Sequence, residues 1–263
     1  MSKASVQSAS GAGIGSGGEV SPQRVKLGLK LAIQFFLGLL AGAAILFVPA
    51  GTLRFWQGWA LLGAYFVPTS FAFLYFLKRD PQVAERRMER KETVGVQKLL
   101  IRWGMPAFLA AFLLPGFDYR LGWSRHMFGG VPSWLSLVSL AMVFAAFLFV
   151  FWVTQVNRFA ARIIRVEEGQ TVISDGPYRW VRHPMYFGSV VLWMFTPLAL
   201  GSYVALPLFA LLIPFYVFRL LNEETVLRRG LPGYADYCLR TRYHLIPFVW
   251  PRSVIGHKLP PIS

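Results

Sequence analysis

The sequence predicts an all-α fold, a polytopic transmembrane helical bundle of about six spans. Three observations carry that prediction. Hydrophobic residues make up 55% of the 263 residues and charged residues only 15%, against roughly 25% charged in an average soluble domain. The mean hydropathy is +0.48. Long stretches of the chain hold no Asp, Glu, Lys or Arg, and the basic residues gather on alternate loops between them. The same figures exclude a disordered chain, a coiled coil and a collagen. The single cysteine, Cys238, excludes a disulfide framework and any CxxC motif.

Taken in order, residues 1–25 read as a disordered cytoplasmic tail, rich in Ser, Gly and Ala and without an apolar core. Gly13 to Gly18 spell GxGxxG, but that pattern cradles a nucleotide only between a strand and a helix N-terminus, and no strand precedes it. Residues 26–155 follow as an N-terminal transmembrane region of about four spans. Charge is absent from Leu31 to Leu53, from Phe55 to Leu77, from Trp103 to Phe117 and from His126 to Asn157. A spanning helix needs about 20 apolar residues. The third stretch is short, but Leu99–Ile101 extend it, with Arg102 snorkelling to the headgroups. The fifth charge-free stretch, His183 to Phe218, is too long for one span and contains Pro197, Gly201, Ser202, Pro207 and Pro214. It reads as a helical hairpin turning near Leu200–Tyr203, with kinked arms.

The basic residues test this count. With the N-terminus in the cytoplasm, the outer loops hold only Arg54, Arg120 and Arg125, and the other Lys and Arg fall on or at the cytoplasmic side. The net charge of +15 is therefore topology, reinforced by attraction to anionic membrane lipid, and nucleic acid is not an expected partner.

Three cytoplasmic segments hold the candidate chemistry. Lys78 to Lys98 alternates Glu and Arg at four-residue spacing and predicts a juxtamembrane helix on anionic headgroups. Asn157 to Gly188 turns at Asp175-Gly176-Pro177, then brings Tyr178, Arg179, Trp180, Arg182, His183 and Tyr186 together where a helix enters the membrane. Pro184 marks that helix's first residue. At the exit of the last span stand Arg219, Glu223 and Glu224. Charges there are costly unless paired. Arg219 and Glu223 are four apart and can pair, whereas Glu224 faces elsewhere and is expected to lack an intrahelical partner. No triad, HExxH, P-loop or metal-ligand set is present, so no metal is expected. Carboxylate, arginine, histidine and aromatics beside a bilayer suit a polar cofactor carrying an amino group and an apolar substrate entering from lipid.

Gly176–Gly188 (GPYRWVRHPMYFG), Asn222–Leu227 (NEETVL) and Gly233–Tyr237 (GYADY) resemble the isoprenylcysteine carboxyl methyltransferase family, over roughly residues 30–250. Asp80-Pro81, Glu85–Met88, Phe117–Arg120 and Gly122–Ser124 are similar to loops of its bacterial branch. Phospholipid N-methyltransferases and sterol reductases carry versions of RHPxY, so an amine N-methyltransferase, and a reductase-like or non-catalytic scaffold, stand as alternatives. The resemblance implies an integral-membrane methyltransferase with a cytoplasmic pocket for S-adenosylmethionine, in a bacterial inner membrane, both termini cytoplasmic. It also implies a lipid-like or prenylated acceptor from the bilayer, with carboxyl O-methylation as the expected reaction.

Residues 156–250 become the cofactor-binding region, made of the hairpin and a cytoplasmic C-terminal helix, with 251–263 a tail. The donor pocket falls on Gln170, Thr171, Val172, Ile173, Tyr178, His183, Pro184, Met185 and Tyr186, and on Glu223 and Glu224. Glu224 is assigned to the donor's ammonium or ribose. Arg219 is linked to the acceptor carboxylate and, with Glu224, is the expected catalytic pair. A further donor contact falls near Arg162–Val166. His244 stands where bacterial relatives usually have arginine.

Overall fold

A computed structural model describes residues 22–79, 83, 95–157, 159 and 169–247. Residues 1–21 with their GxGxxG, residues 80–82 and 84–94, the Arg162–Val166 contact and the tail 251–263 lie outside the described residues. The described residues are helical, with no strand among them. They form α1 (Pro22–Ala50), α2 (Trp56–Arg79), α3 (Gly95–Leu121), α4 (Trp123–Phe128), α5 (Ser133–Val156), α6 (Pro184–Ala199), α7 (Leu206–Ala210), α8 (Leu212–Gly230) and α9 (Tyr234–Arg240), with a 3-10 turn at Gly176–Arg179. Contacts divide the chain into two compact units, residues 1–38 and 39–263. The candidate site lies wholly in the second. Helix α1 begins at Pro22, inside the stretch expected as tail.

Among the described residues, four helical stretches are long and apolar enough to cross a membrane: Ala32–Ala50, Trp56–Arg79, Ser133–Val156 and Leu206–Gly230. The two other expected spans are also helices. Gly95–Leu121 is interrupted by Pro106 and Pro115 and carries charge at both ends, and Pro184–Ala199 is apolar but short. The outward faces of α2 and α5 remain apolar: Val67, Phe71 and Leu74, and Trp134, Leu137, Val138 and Leu148, are all exposed. A soluble monomer rarely exposes so continuous an apolar surface, whereas lipid is its natural solvent.

The expected hairpin is present. Helix α6 ends at Ala199, the chain turns through Gly201 (φ +73°), and α7 starts at Leu206. Helix α6 lies along α5. A Cβ on Gly188 would stand 2.6 Å from Val150 Cγ2, so the two helices approach at a distance that only glycine permits. Trp193 of α6 packs with Ala111 of α3, Phe209 of α7 and Leu212 of α8 in one core. Leu46, Phe55, Leu61, Val143 and Leu200 form another.

One segment differs from expectation. Phe117–Ser124 matched an outer loop but is helical, α3 running to Leu121 and α4 following after Gly122. Asp118 is buried and explains the order. It accepts from the Ser124 backbone N–H at 2.7 Å, from the Ser124 hydroxyl, and from the Ser202 hydroxyl at 2.5 Å. Ser124 Oγ in turn accepts from the backbone of Tyr203 and Val204. A buried carboxylate tolerates its burial only with such donors, and here they clasp α3 and α4 to the α6–α7 turn.

Candidate active site

The site is assembled at the opposite end of α6, where three stretches distant in sequence converge. Arg182 and His183 precede α6, with Pro184 at its first turn. Glu223 and Glu224 lie in the last turns of α8. The chain after α9, from Thr241 to Leu245, returns alongside Val181–His183. Val181 and Tyr243 form a parallel bridge, and the N–H groups of Arg182 and His183 donate to the carbonyls of Tyr243 (2.9 Å) and His244 (3.0 Å). The Arg182 side chain fastens the same join, Nη1 donating to the carbonyls of Thr241 (2.8 Å) and Arg242 (3.0 Å).

Glu224 is the hub. Its side chain is 5% exposed and faces four basic side chains. Arg182 Nη2 lies 3.2 Å from Oε1, Arg228 Nε donates to Oε1 at 3.1 Å, His244 Nε2 stands 2.9 Å from Oε2, and His183 Nε2 stands 3.9 Å from it. Cys238 Sγ is 3.7 Å from Oε1. The expectation that Glu224 lacks an intrahelical partner is corrected. Arg228, four residues on, pairs with it, as the i,i+4 rule allows. Glu223 faces a different group: the Tyr186 hydroxyl donates to its Oε2 at 2.6 Å and lies beside Arg219.

The remaining predicted residues line the base of this cluster. Tyr178, Val172, Ile173 and Met185 share one apolar core with Val153, Leu231, Tyr234, Tyr237 and Cys238. Tyr178 is fixed by Asn157, whose amide donates to its hydroxyl at 3.0 Å, and by Tyr237, whose hydroxyl donates to its carbonyl at 2.8 Å. Gln170 is half-buried, and Thr171 is exposed. Burial, and after it the Glu224 carboxylate, pushes the Tyr234 phenol well up. Burial does the same to Tyr237, so both stay neutral donors.

Sequence reasoning named Arg182 without giving it a role, missed Arg228 and Tyr234, and placed His244 only as a departure from relatives. Arg228 was readable from spacing. Arg182 and His244 meet Glu224 through tertiary contact alone. Several buried polar atoms here have no hydrogen-bond partner: Arg182 Nε, His183 Nε2, Asn222 Nδ2 and the Tyr234 hydroxyl. Native interiors leave few such atoms, and gathered at one end of a bundle they fit a polar ligand. No group of three or more His, Cys, Asp or Glu among the described residues is arranged to hold a metal.

Comparison with known proteins bears on the same stretch of chain. The isoprenylcysteine carboxyl methyltransferase (ICMT) family model matches residues 137–229, which run from α5 through the hub carboxylate. No curated protein matches the sequence. Among solved structures, the chain is similar to the eukaryotic intramembrane Ras methyltransferase ICMT (isoprenylcysteine carboxyl methyltransferase) without a monobody. Identity is 17%, 86% of this chain and 88% of that chain are covered, and the TM-score is 0.46.

Proposed function

We propose that this chain, whose residues 137–229 belong to the isoprenylcysteine carboxyl methyltransferase family, is an integral-membrane methyltransferase that uses S-adenosylmethionine to esterify a carboxylate on a lipid-like acceptor at the cytoplasmic face. The observation that carries the reading is the convergence of RHPMY (Arg182–Tyr186) and the Glu223–Glu224 pair, far apart in sequence, on one buried polar cluster within the matched region.

When bound, S-adenosylmethionine supplies an electrophilic sulfonium methyl group. The chain's own part is to bind, orient and exclude water. Tyr178, Val172, Ile173 and Met185 form a preorganised apolar wall. His183 and Tyr234 bring buried polar atoms that lack partners, and Gln170, Thr171 and Pro184 complete the rim. Glu224 was assigned to the donor's ammonium or ribose. Since both its oxygens already face protein side chains, Arg182 and Arg228 at Oε1 and His244 at Oε2, its part is to hold Arg182, His183, His244 and Arg228 in register.

Arg219, half-buried on the lipid-proximal side of Glu223, would orient the acceptor carboxylate through its planar fork. A carboxylic acid with a pKa near 4 is already ionised at pH 7. The acceptor then needs no general base, in keeping with a cluster whose histidines both face a carboxylate.

The test is methyl transfer from methyl-labelled S-adenosylmethionine in membranes that contain the protein. Label entering the organic phase and released by mild base is the expected result, marking a methyl ester. Base-stable label would reassign the acceptor to an amine or thiol. Absence of label when prenylated and fatty carboxylic acids are both supplied would overturn the reading.

A further inference from the structure

The Glu224 cluster carries more positive than negative charge. Arg182 and Arg228 are permanently cationic, and among the described residues they share a single carboxylate, Glu224. Glu223 is engaged by Tyr186 beside Arg219, and His183 and His244 add charge only when protonated. A guanidinium surplus in a desolvated site calls for an anion.

The two arginines are not equally placed to receive one. The Arg182 side chain is 0% exposed, its Nη1 is spent on two backbone carbonyls and its Nη2 on Glu224. The Arg228 side chain is 26% exposed and turns its Nε and Nη2 toward Glu224. Its bonds to Glu224 do not use Nη1.

Position also separates Arg228 from Arg219. Between the two, α8 rises about 13 Å, carrying Arg219 toward the apolar part of the helix and Arg228 toward the α8–α9 turn. An acceptor dissolved in lipid meets Arg219 first. A water-soluble ligand meets Arg228 first.

We infer that Arg228 is the binding site for the α-carboxylate of an amino-acid-bearing donor, held in place for that task by Glu224. The inference rests on the proposed use of S-adenosylmethionine, and it places the amino-acid end of the donor beside the α8–α9 turn. Glu224 thereby has a defined part: it prevents the arginine from swinging into solvent, so that less side-chain freedom is lost when the ligand arrives.

The experiment compares two ligands on the full-length protein in nanodiscs. S-adenosylmethionine and its decarboxylated analogue share the sulfonium, the amine and the adenosine and differ in the carboxylate alone. Direct binding is measured for the wild type, Arg228→Gln and Arg228→Lys. A charge-assisted hydrogen-bonded contact corresponds to about ten- to a hundredfold in affinity. The wild type is expected to prefer S-adenosylmethionine by that factor. Arg228→Gln should lose the preference while keeping its affinity for the analogue within a few-fold, which also reports that the variant is folded. Arg228→Lys, which keeps the charge, should recover part of it.

Equal wild-type affinity for the two ligands would overturn the inference and leave the donor reading standing. So would an equal loss of both ligands in Arg228→Gln, since that marks an effect through Glu224. If the wild type binds neither ligand, the donor reading falls and the inference with it.

Discussion

At the scale of single residues, Glu224 and Arg219 make opposite predictions although they share a helix. Glu224 is the counter-charge of a fully buried Arg182 side chain. Removing one partner of a buried ion pair leaves the other uncompensated, at a cost of about 3–5 kcal/mol. Glu224→Gln should therefore lower the unfolding midpoint as well as donor binding. Adding Arg182→Gln to Glu224→Gln should cost less than the two single losses summed, which a double-mutant cycle in thermal unfolding will read. Strict additivity would mean that the pair is not coupled. Arg219 acts on a different group, beside Tyr186 and Glu223. Half-buried at the lipid-proximal end of the cluster, it is expected to be dispensable for donor binding, so Arg219→Ala should keep donor affinity within a few-fold and lose transfer by about a hundredfold or more, as truncation of a charged bidentate contact does. Full turnover in Arg219→Ala would remove it from the reaction. The identities of these residues were legible in the sequence because charge is expensive at the end of a span. Their partners were not, since Arg182 and His244 reach Glu224 from stretches about forty residues upstream and twenty downstream. Only folding creates that proximity.

At the scale of elements, α6 connects the two ends of the molecule. It starts directly after His183 and carries Tyr186 in its first turn, and its last runs into the turn clasped by Asp118. Where α6 sits is set by its contact with α5 at Gly188. A side chain there must displace Val150, whose Cγ2 would stand 2.6 Å from the new Cβ. Overpacking of this kind costs typically 1–3 kcal/mol. Gly188→Val is thus expected to lower the unfolding midpoint and to weaken donor binding together, through a shift of the helix that carries the site. Asp118→Ala acts at the far end. It removes the acceptor of the Ser124 and Ser202 bonds, so it should destabilise by about 2–4 kcal/mol yet leave donor affinity unchanged in the protein that remains folded. A loss of affinity equal to that of Gly188→Val would show that the clasp, too, sets the register of α6. The sequence revealed the hairpin through its prolines and the helix start through Pro184. The clasp was hidden because Asp118 and Ser124 read as outer-loop polarity, and nothing local shows a carboxylate turned inward to a serine 84 residues away.

At the scale of the whole molecule, charge and hydropathy make one statement about orientation. The exposed faces of α2 and α5 are apolar, and the Lys and Arg outside the spans are distributed so unevenly that only Arg54, Arg120 and Arg125 fall on the sparse side. Positive loops stay in the cytoplasm, so the charge pattern predicts that the Glu224 cluster faces the cytoplasm, the side on which the proposed donor would be available. The chain is well suited to a direct test, because Cys238 is its sole cysteine and is fully buried. In a Cys238→Ser background, a cysteine at exposed Met127 on α4 belongs to the sparse side. One at exposed Arg240, at the end of α9, belongs to the rich side. A membrane-impermeant maleimide applied to intact cells should label position 127 at once and position 240 only after permeabilisation. The reverse pattern would place the cluster outside the cell, away from its donor, and would leave the reaction without a supply of methyl groups. Labelling of both positions in intact cells would mean that an even number of helices crosses the bilayer between them; the short α6, at Pro184–Ala199, would then be the helix that enters the membrane without crossing it.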